Sequence, residues 1–119
     1  MRVRAARGAI VVAGDDAATL LGATERLLAT VLERNAIAAE DLVSILFTAT
    51  EDLRSAFPAE AARRMGLGLV PLMCAREIPV QGSMPRVVRA LVHFHSDAPL
   101  ADVAHVYLDG AESLRDDLD

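Results

Sequence analysis

Four side chains in this chain could act together on one small ligand: Arg7, Glu77, Arg89 and Tyr107. The stretch Pro71-Leu-Met-Cys-Ala-Arg-Glu77 brings a carboxylate to the end of an apolar run, and after a loop Arg89 interrupts a second one. With Arg7 in the first strand and Tyr107 near the end of the chain, they suggest a site for a small dianion. A guanidinium among apolar strand residues is tolerated mainly where it meets a carboxylate or phosphate. An internal ion pair with Glu77 accounts for Arg89 as well as a bound anion does, and Glu77 alone would ordinarily be a solvated loop charge.

Other reactive residues read more plainly. Cys74 has no His beside it in sequence and is foremost a small packing residue, with hydrogen bonding at a pocket wall as its functional alternative. His93 and His95 share one strand face, and His105 could join them. Without a matched carboxylate or thiolate motif, they read as satisfied or interfacial histidines, and no metal site is expected. The chain has no Walker motif, dinucleotide fingerprint, Ser-His-Asp spacing or CxxC pair. An enzyme built this way must hold a substrate and stabilise charge, with no covalent step and no cofactor.

Several elements must position these groups. Val3 to Val12 reads as a first strand, with Arg7 in phase with Val3, Ala5, Ala9 and Val11. Asp15 or Asp16 caps a helix whose apolar residues from Leu20 to Leu32 keep the 3.6 period, and Asn35 stops it. Leu42 to Thr48 is a nearly continuous apolar run, which predicts a strand buried on both faces. Phe57-Pro-Ala opens a short helix through about Met65 that Gly66 and Gly68 end, with Pro58 at the first helical position. Leu69 to Cys74 is a third strand. Val87 to Ser96 is the clearest late strand, with Val88, Ala90, Val92 and Phe94 on one face and Arg89, Leu91, His93 and His95 on the other. A brief strand from Val103 to Leu108 precedes an acidic tail at residues 113–119. The order predicts an α+β domain with a mixed sheet and helices on one face, leaving the other face to meet neighbouring subunits in a cyclic oligomer.

Composition narrows the partners. The 119 residues predict one domain spanning 1–119. A net charge of −5, 3% aromatic residues and no Trp argue against nucleic-acid binding. All twelve basic side chains are Arg. The lone Cys74 cannot form an internal disulfide, no signal-like apolar run follows Met1, and no run is long enough to span a membrane. A reducing cytoplasm is the expected setting.

In order, Arg4-Ala-Ala-Arg7-Gly-Ala, Thr48-Ala-Thr-Glu-Asp-Leu53, Phe57-Pro-Ala59, Val70-Pro-Leu-Met-Cys74, Glu77, Arg89, His105-Val-Tyr-Leu108 and Leu114-Arg115 form one pattern. It resembles the monofunctional AroH-type chorismate mutases over nearly the whole chain. The resemblance implies a homotrimeric pseudo-α/β-barrel with active sites between adjacent subunits, catalysing the Claisen rearrangement of chorismate to prephenate. It implies that Arg7 binds a substrate carboxylate, that Tyr107 orients the same end, and that Glu77 accepts from the ring hydroxyl. Arg89 would reach a carboxylate and the ether oxygen. Met73, Cys74, Ala75 and Arg76 would line the pocket, with Phe57 and Ala59 packing on the ring across the interface and Arg63, Leu114 and Arg115 completing the binding set. The pattern departs at Glu60, where relatives often carry Lys, and Arg63, Arg64 and Arg115 are the cations available to offset that change.

This chemistry suits the residue inventory. A [3,3] rearrangement needs no proton transfer, so it asks for a compact reactive conformer rather than a catalytic base. Negative charge gathers on the ether oxygen as the carbon–oxygen bond breaks. A fixed guanidinium there is worth about 3–4 kcal/mol in the transition state if it behaves as an oxyanion-hole donor.

Overall fold

The computed structural model describes residues 1–118, with side chains through Arg115. Its main elements are β1 (Arg2–Val11), α1 (Ala17–Arg34), β2 (Leu42–Ala49), α2 (Ala59–Arg64), β3 (Leu72–Arg76), β4 (Val87–Ser96) and β5 (Val106–Leu108). Short 3-10 turns at Ala39–Asp41 and Leu100–Asp102 lead into β2 and β5, and a 3-10 helix occupies Ala111–Leu118. The strands are ordered β3-β2-β4-β1-β5. β4 runs antiparallel to β1 and β2, and the edge strands β3 and β5 are parallel to their neighbours. This is the mixed α+β sheet that the element order predicts.

Alternation sorts each strand into a packing face and an open face. On β4, Val88, Ala90, Val92 and Phe94 are at most 3% exposed, against α1 and α2, while Arg89 and His95 are exposed on the other side. Asp16 caps α1 by accepting from the Thr19 backbone N–H at 3.0 Å, and Leu20, Leu27, Leu28 and Val31 bury its inner face. Gly8 lets α1 approach β1 closely, because an added Cβ would stand 3.0 Å from Leu27 Cδ1 and 3.2 Å from Val31 Cγ2.

The structure corrects several expectations. Arg7 does share a phase with Ala5, Ala9 and Val11, but that phase faces away from the helices and Arg7 is exposed. Arg89 is likewise exposed, so neither guanidinium lies in the core. β2 is covered on one face only: Ile45 and Phe47 are buried, whereas Ser44, Leu46 and Thr48 are half-buried on the open face. Pro58 is the N-cap of α2 rather than its first residue.

β3 begins three residues later than expected because Gly66, at φ +83°, and the turn closed by the Val70 N–H on Leu67 O carry the chain outward. Leu69 is fully exposed there, and Cys74 sits in mid-strand. β5 is also shorter, since Val103 to His105 remain outside the ladder. The expected tail forms the 3-10 helix instead, and its last residue, Asp119, lies outside the described residues. That helix covers one end of the open face, where Ala111 joins Ala9 and Val87 in a small second core with Val11, Met84, Tyr107 and Leu114 around it.

Candidate active site

Strand register sets two parallel rows across the open face. Cα pairing aligns Ala75 of β3, Thr48 of β2, Arg89 of β4, Ala9 of β1 and Tyr107 of β5. One step along, Met73, Leu46, Leu91 and Arg7 align in the same way. Directly opposed residues share a face, so sequence positions 7, 48, 89 and 107 converge although they come from four strands. They line a cavity of about 320 Å³ whose floor is Gly8, Ala9, Leu46, Ala90 and Leu91 and whose rim includes Leu114.

Glu77 and Arg89 are bonded partners. Glu77 Oε2 accepts from Arg89 Nε at 3.0 Å and from Thr48 Oγ1 at 2.7 Å. The Glu77 side chain is 17% exposed and that of Arg89 is 44% exposed. This ion pair ties the two groups directly to each other. It also leaves each partner with capacity. Among the described residues Glu77 Oε1 and the terminal guanidinium nitrogens of Arg89 have no hydrogen-bond partner. Glu77 is placed by the end of β3, where its backbone N–H donates to Ala49 O at 3.0 Å.

Arg7 is held through its backbone rather than its side chain. Its N–H donates to His105 Nδ1 at 3.0 Å, and among the described residues its guanidinium meets no carboxylate. Burial first, then the charges of Arg7 and Arg115, hold the His105 imidazole below its usual range. His93 Nδ1 instead lies 3.2 Å from Ser44 Oγ. Among the described residues no three His, Cys, Asp or Glu side chains form a metal-ligand group.

Several of the other candidates occupy a different part of the chain. Phe57, Cys74, Ala75 and Arg76 border a groove of about 690 Å³ with Leu53, Arg54 and Pro58. Phe57 is 74% exposed. Arg76 pairs with Glu51 at 2.8 Å, and Arg63 pairs with Glu60 at 2.9 Å. Ala59, expected to pack on the ring across the interface, is 4% exposed and packs in this chain's own core. Met73 and Cys74 point to opposite faces: Met73 is 65% exposed beside Leu46, while Cys74 packs toward the core beside Phe47. Arg115 is exposed near His105.

Sequence reasoning assigned no role to Thr48, Gly8, Leu46 or Leu91. Thr48 matters through a cross-strand register and a contact to Glu77 twenty-nine residues away. The signal available was its place in the Thr48-Ala-Thr motif, which does not by itself reveal a partner.

The chain is similar to known proteins along nearly its whole length. The family model described as chorismate mutase type I matches residues 3–118. Chorismate mutase AroH of Thermus thermophilus is 52% identical over 98% of this chain and 97% of its own length. Chorismate mutase AroH of Bacillus subtilis is 37% identical over 99% of this chain and 94% of its own. The solved structure of a chorismate mutase from Clostridium thermocellum superposes with a TM-score of 0.91 and 42% identity, covering 92% of this chain and 98% of that one.

Proposed function

The chain belongs to the type I chorismate mutase family, and from that membership we propose how its residues divide the work. It is an isomerase of aromatic amino acid biosynthesis that converts chorismate to prephenate. Arg7 anchors one carboxylate of the substrate, with Tyr107 orienting the same end. Glu77 Oε1 accepts from the ring hydroxyl, and the terminal nitrogens of Arg89 meet a carboxylate and the ether oxygen. Anchoring at these points selects the compact conformer in which the two reacting carbons are close.

The observation that carries this reading is the Thr48–Glu77–Arg89 network beside the Arg7 cavity. Glu77 fixes Arg89 through Nε, so its forked end is already oriented when charge develops on the ether oxygen. The rearrangement makes and breaks only carbon–carbon and carbon–oxygen bonds, so neither a proton donor nor a cofactor enters the scheme.

One domain spanning 1–119 carries these groups, and three copies assemble into the pseudo-α/β-barrel trimer. The separation of cavity and groove supports this assembly. The groove bearing Phe57, Cys74, Ala75, Arg76 and, nearby, Arg63 would close over the Arg7–Arg89–Tyr107–Leu114 cavity of an adjacent subunit, with Met73 and Arg115 at the margins. A cytoplasmic setting and no nucleic-acid partner complete the reading; among the described residues no helix is long and apolar enough to cross a membrane.

Chorismate consumption followed by absorbance tests the chemistry, and sedimentation mass tests the assembly. Saturable turnover by a particle of three chains is expected. Calorimetric binding of chorismate without product would make this a small-anion binding protein instead, and a monomer with full activity would rule out the shared site.

A further inference from the structure

β5 is the shortest strand of the sheet. Its three residues pair with Gly8 to Ile10 of β1, and the next pair along that register would be Arg7 with His105. At that point a side chain takes over from the backbone ladder: the His105 imidazole Nδ1 accepts the Arg7 N–H at 3.0 Å. The preceding residue is held from the other side. Asn35 Nδ2 donates to Ala104 O at 2.9 Å, and Asn35 Oδ1 accepts from the Ala104 N–H at 2.8 Å. Thus Asn35 pins the segment to the end of α1, and His105 pins it to β1.

We propose that His105 is a positioning residue for the rearrangement: its neutral imidazole, protonated on Nε2, fixes the backbone of Arg7 to the strand that presents Tyr107. Only an unprotonated Nδ1 can accept that N–H, so the hydrogen bond selects both the neutral ring and the tautomer. Arg7 and Tyr107 line the same cavity, and a small shift between their strands moves two contacts to one substrate carboxylate. The inference rests on the chorismate mutase reading for its kinetic part only, because the hydrogen bond is testable without turnover.

Protonation would convert the Nδ1 acceptor into a donor facing another donor, and the link would open. Among the described residues the charged groups whose fields reach the ring are Arg7 on β1 and Arg115 on the C-terminal 3-10 helix. From α1 the neutral Asn35 faces this segment. Both charges are positive and, with burial, oppose protonation, so the ring is neutral at pH 7 and the link opens only in acid. The reaction itself transfers no proton. An acid limb in kcat/KM that belongs to His105 is therefore a signature of positioning.

The experiment compares the intact wild-type protein with His105→Asn and His105→Leu. An Asn Oδ1 offers an acceptor near the place of Nδ1 but does not titrate, whereas Leu offers none. Chorismate kinetics are measured between about pH 5 and 8, the range over which an imidazole changes charge. Wild-type kcat/KM should fall about tenfold on the acid side, in line with the cost of displacing a positioning group. The Asn variant should stay within about threefold of wild type at pH 7 and lack the limb. The Leu variant should lie about tenfold below the wild type at pH 7, mainly through KM, and meet it on the acid side without a limb of its own, because Arg7 grips a carboxylate in ground and transition states alike.

Long-range ¹H–¹⁵N NMR of the wild-type imidazole should show the Nε2–H tautomer, with protonation below the usual imidazole range. An Nδ1–H tautomer overturns the proposal. So does an acid limb that persists in the Asn variant, or a Leu variant that melts lower but keeps wild-type kcat/KM. If the Leu variant does not fold, the Asn profile and the NMR spectrum decide the matter. Absence of turnover in the wild type would instead sink the enzymatic reading, and the tautomer would still report on the hydrogen bond.

Discussion

The two faces of the sheet follow the same alternation and put it to opposite uses. Facing the helices, Val88, Val92 and Phe94 of β4 are buried to 1% exposure or less, with Ile45 and Phe47 of β2 beside them. Facing away, Arg89 and Thr48 on those two strands hold a carboxylate between them, and Arg7 waits two residues from Ala9 with no acidic partner among the described residues. One face supplies stability by removing apolar surface from water. On the other, charged groups stay at the surface, where Arg7 and Arg89 are exposed. Separating the tasks across a strand only one side chain thick lets a rigid core set the geometry of a charged site.

Substitutions on β4 test that division most directly. Phe94→Ala should cost about 3–5 kcal/mol of folding stability, the usual range for truncating a buried Phe. Activity per folded molecule should persist, as shown by urea titration alongside the chorismate assay. If activity disappears while the fold remains stable, the two faces are not separable. Arg89→Lys should do the reverse, lowering kcat by about a hundredfold or more with little change in melting temperature. An ammonium cannot keep Nε bonded to Glu77 while presenting a fork to the ligand. Near wild-type turnover in that variant would mean that Arg89 does not stabilise the developing charge.

Thr48→Val should have a smaller effect. It removes one of the two hydrogen bonds to Glu77 Oε2 but keeps side-chain volume, so kcat/KM should fall about fivefold, or about 1 kcal/mol. A wild-type value would show that the Arg89 bond alone orients Glu77.

The gentlest probe is acid. His105 has a pKa depressed from 6.5, so the unfolded chain binds that proton first and stability declines as pH falls from about 6.5 through the lower folded value. Asp15, Asp16 and Asp109 are depressed from 3.8 by hydrogen bonds to Ser55, Thr19 and Arg26 respectively. Their contributions are present above 3.8 and disappear as pH falls through their folded values. Urea midpoints should therefore step down in two stages on acidification, and His105→Asn should abolish the first.

Much of the architecture was readable because local rules act within a few residues. Asp16 and Asn35 bound α1, and the phases of β4 separate as the pattern of Val, Ala and Phe against Arg and His requires. Where two phases of a strand are both apolar or small, pattern alone does not choose between them. In β1, Ala6, Gly8 and Ile10 face the helices although Val3, Ala5, Ala9 and Val11 are equally apolar. β3 was misplaced because its start depends on the turn before Pro71, whose carbonyl accepts from Ile45 N–H of a neighbouring strand at 3.0 Å. The site was legible as residue types and as a family pattern. Its wiring was not: the Glu77–Arg89 pair, its Thr48 contact and the His105 link to Arg7 each join positions brought together only by cross-strand register.

By itself the sequence determined most of the elements, which strand faces can pack, and that Arg7, Glu77, Arg89 and Tyr107 are the candidates for gripping a small dianion. Those outcomes follow from side-chain type and from periodicities of two and 3.6 residues, which are local properties of the chain. The tertiary structure alone decided that Glu77 would hold Arg89, that His105 would be a backbone acceptor, and that Phe57 would stand apart from the Arg7 cavity. Each depends on how distant parts of the chain meet, and on the strands themselves a slip of one residue would turn Thr48 and Arg89 to the wrong face.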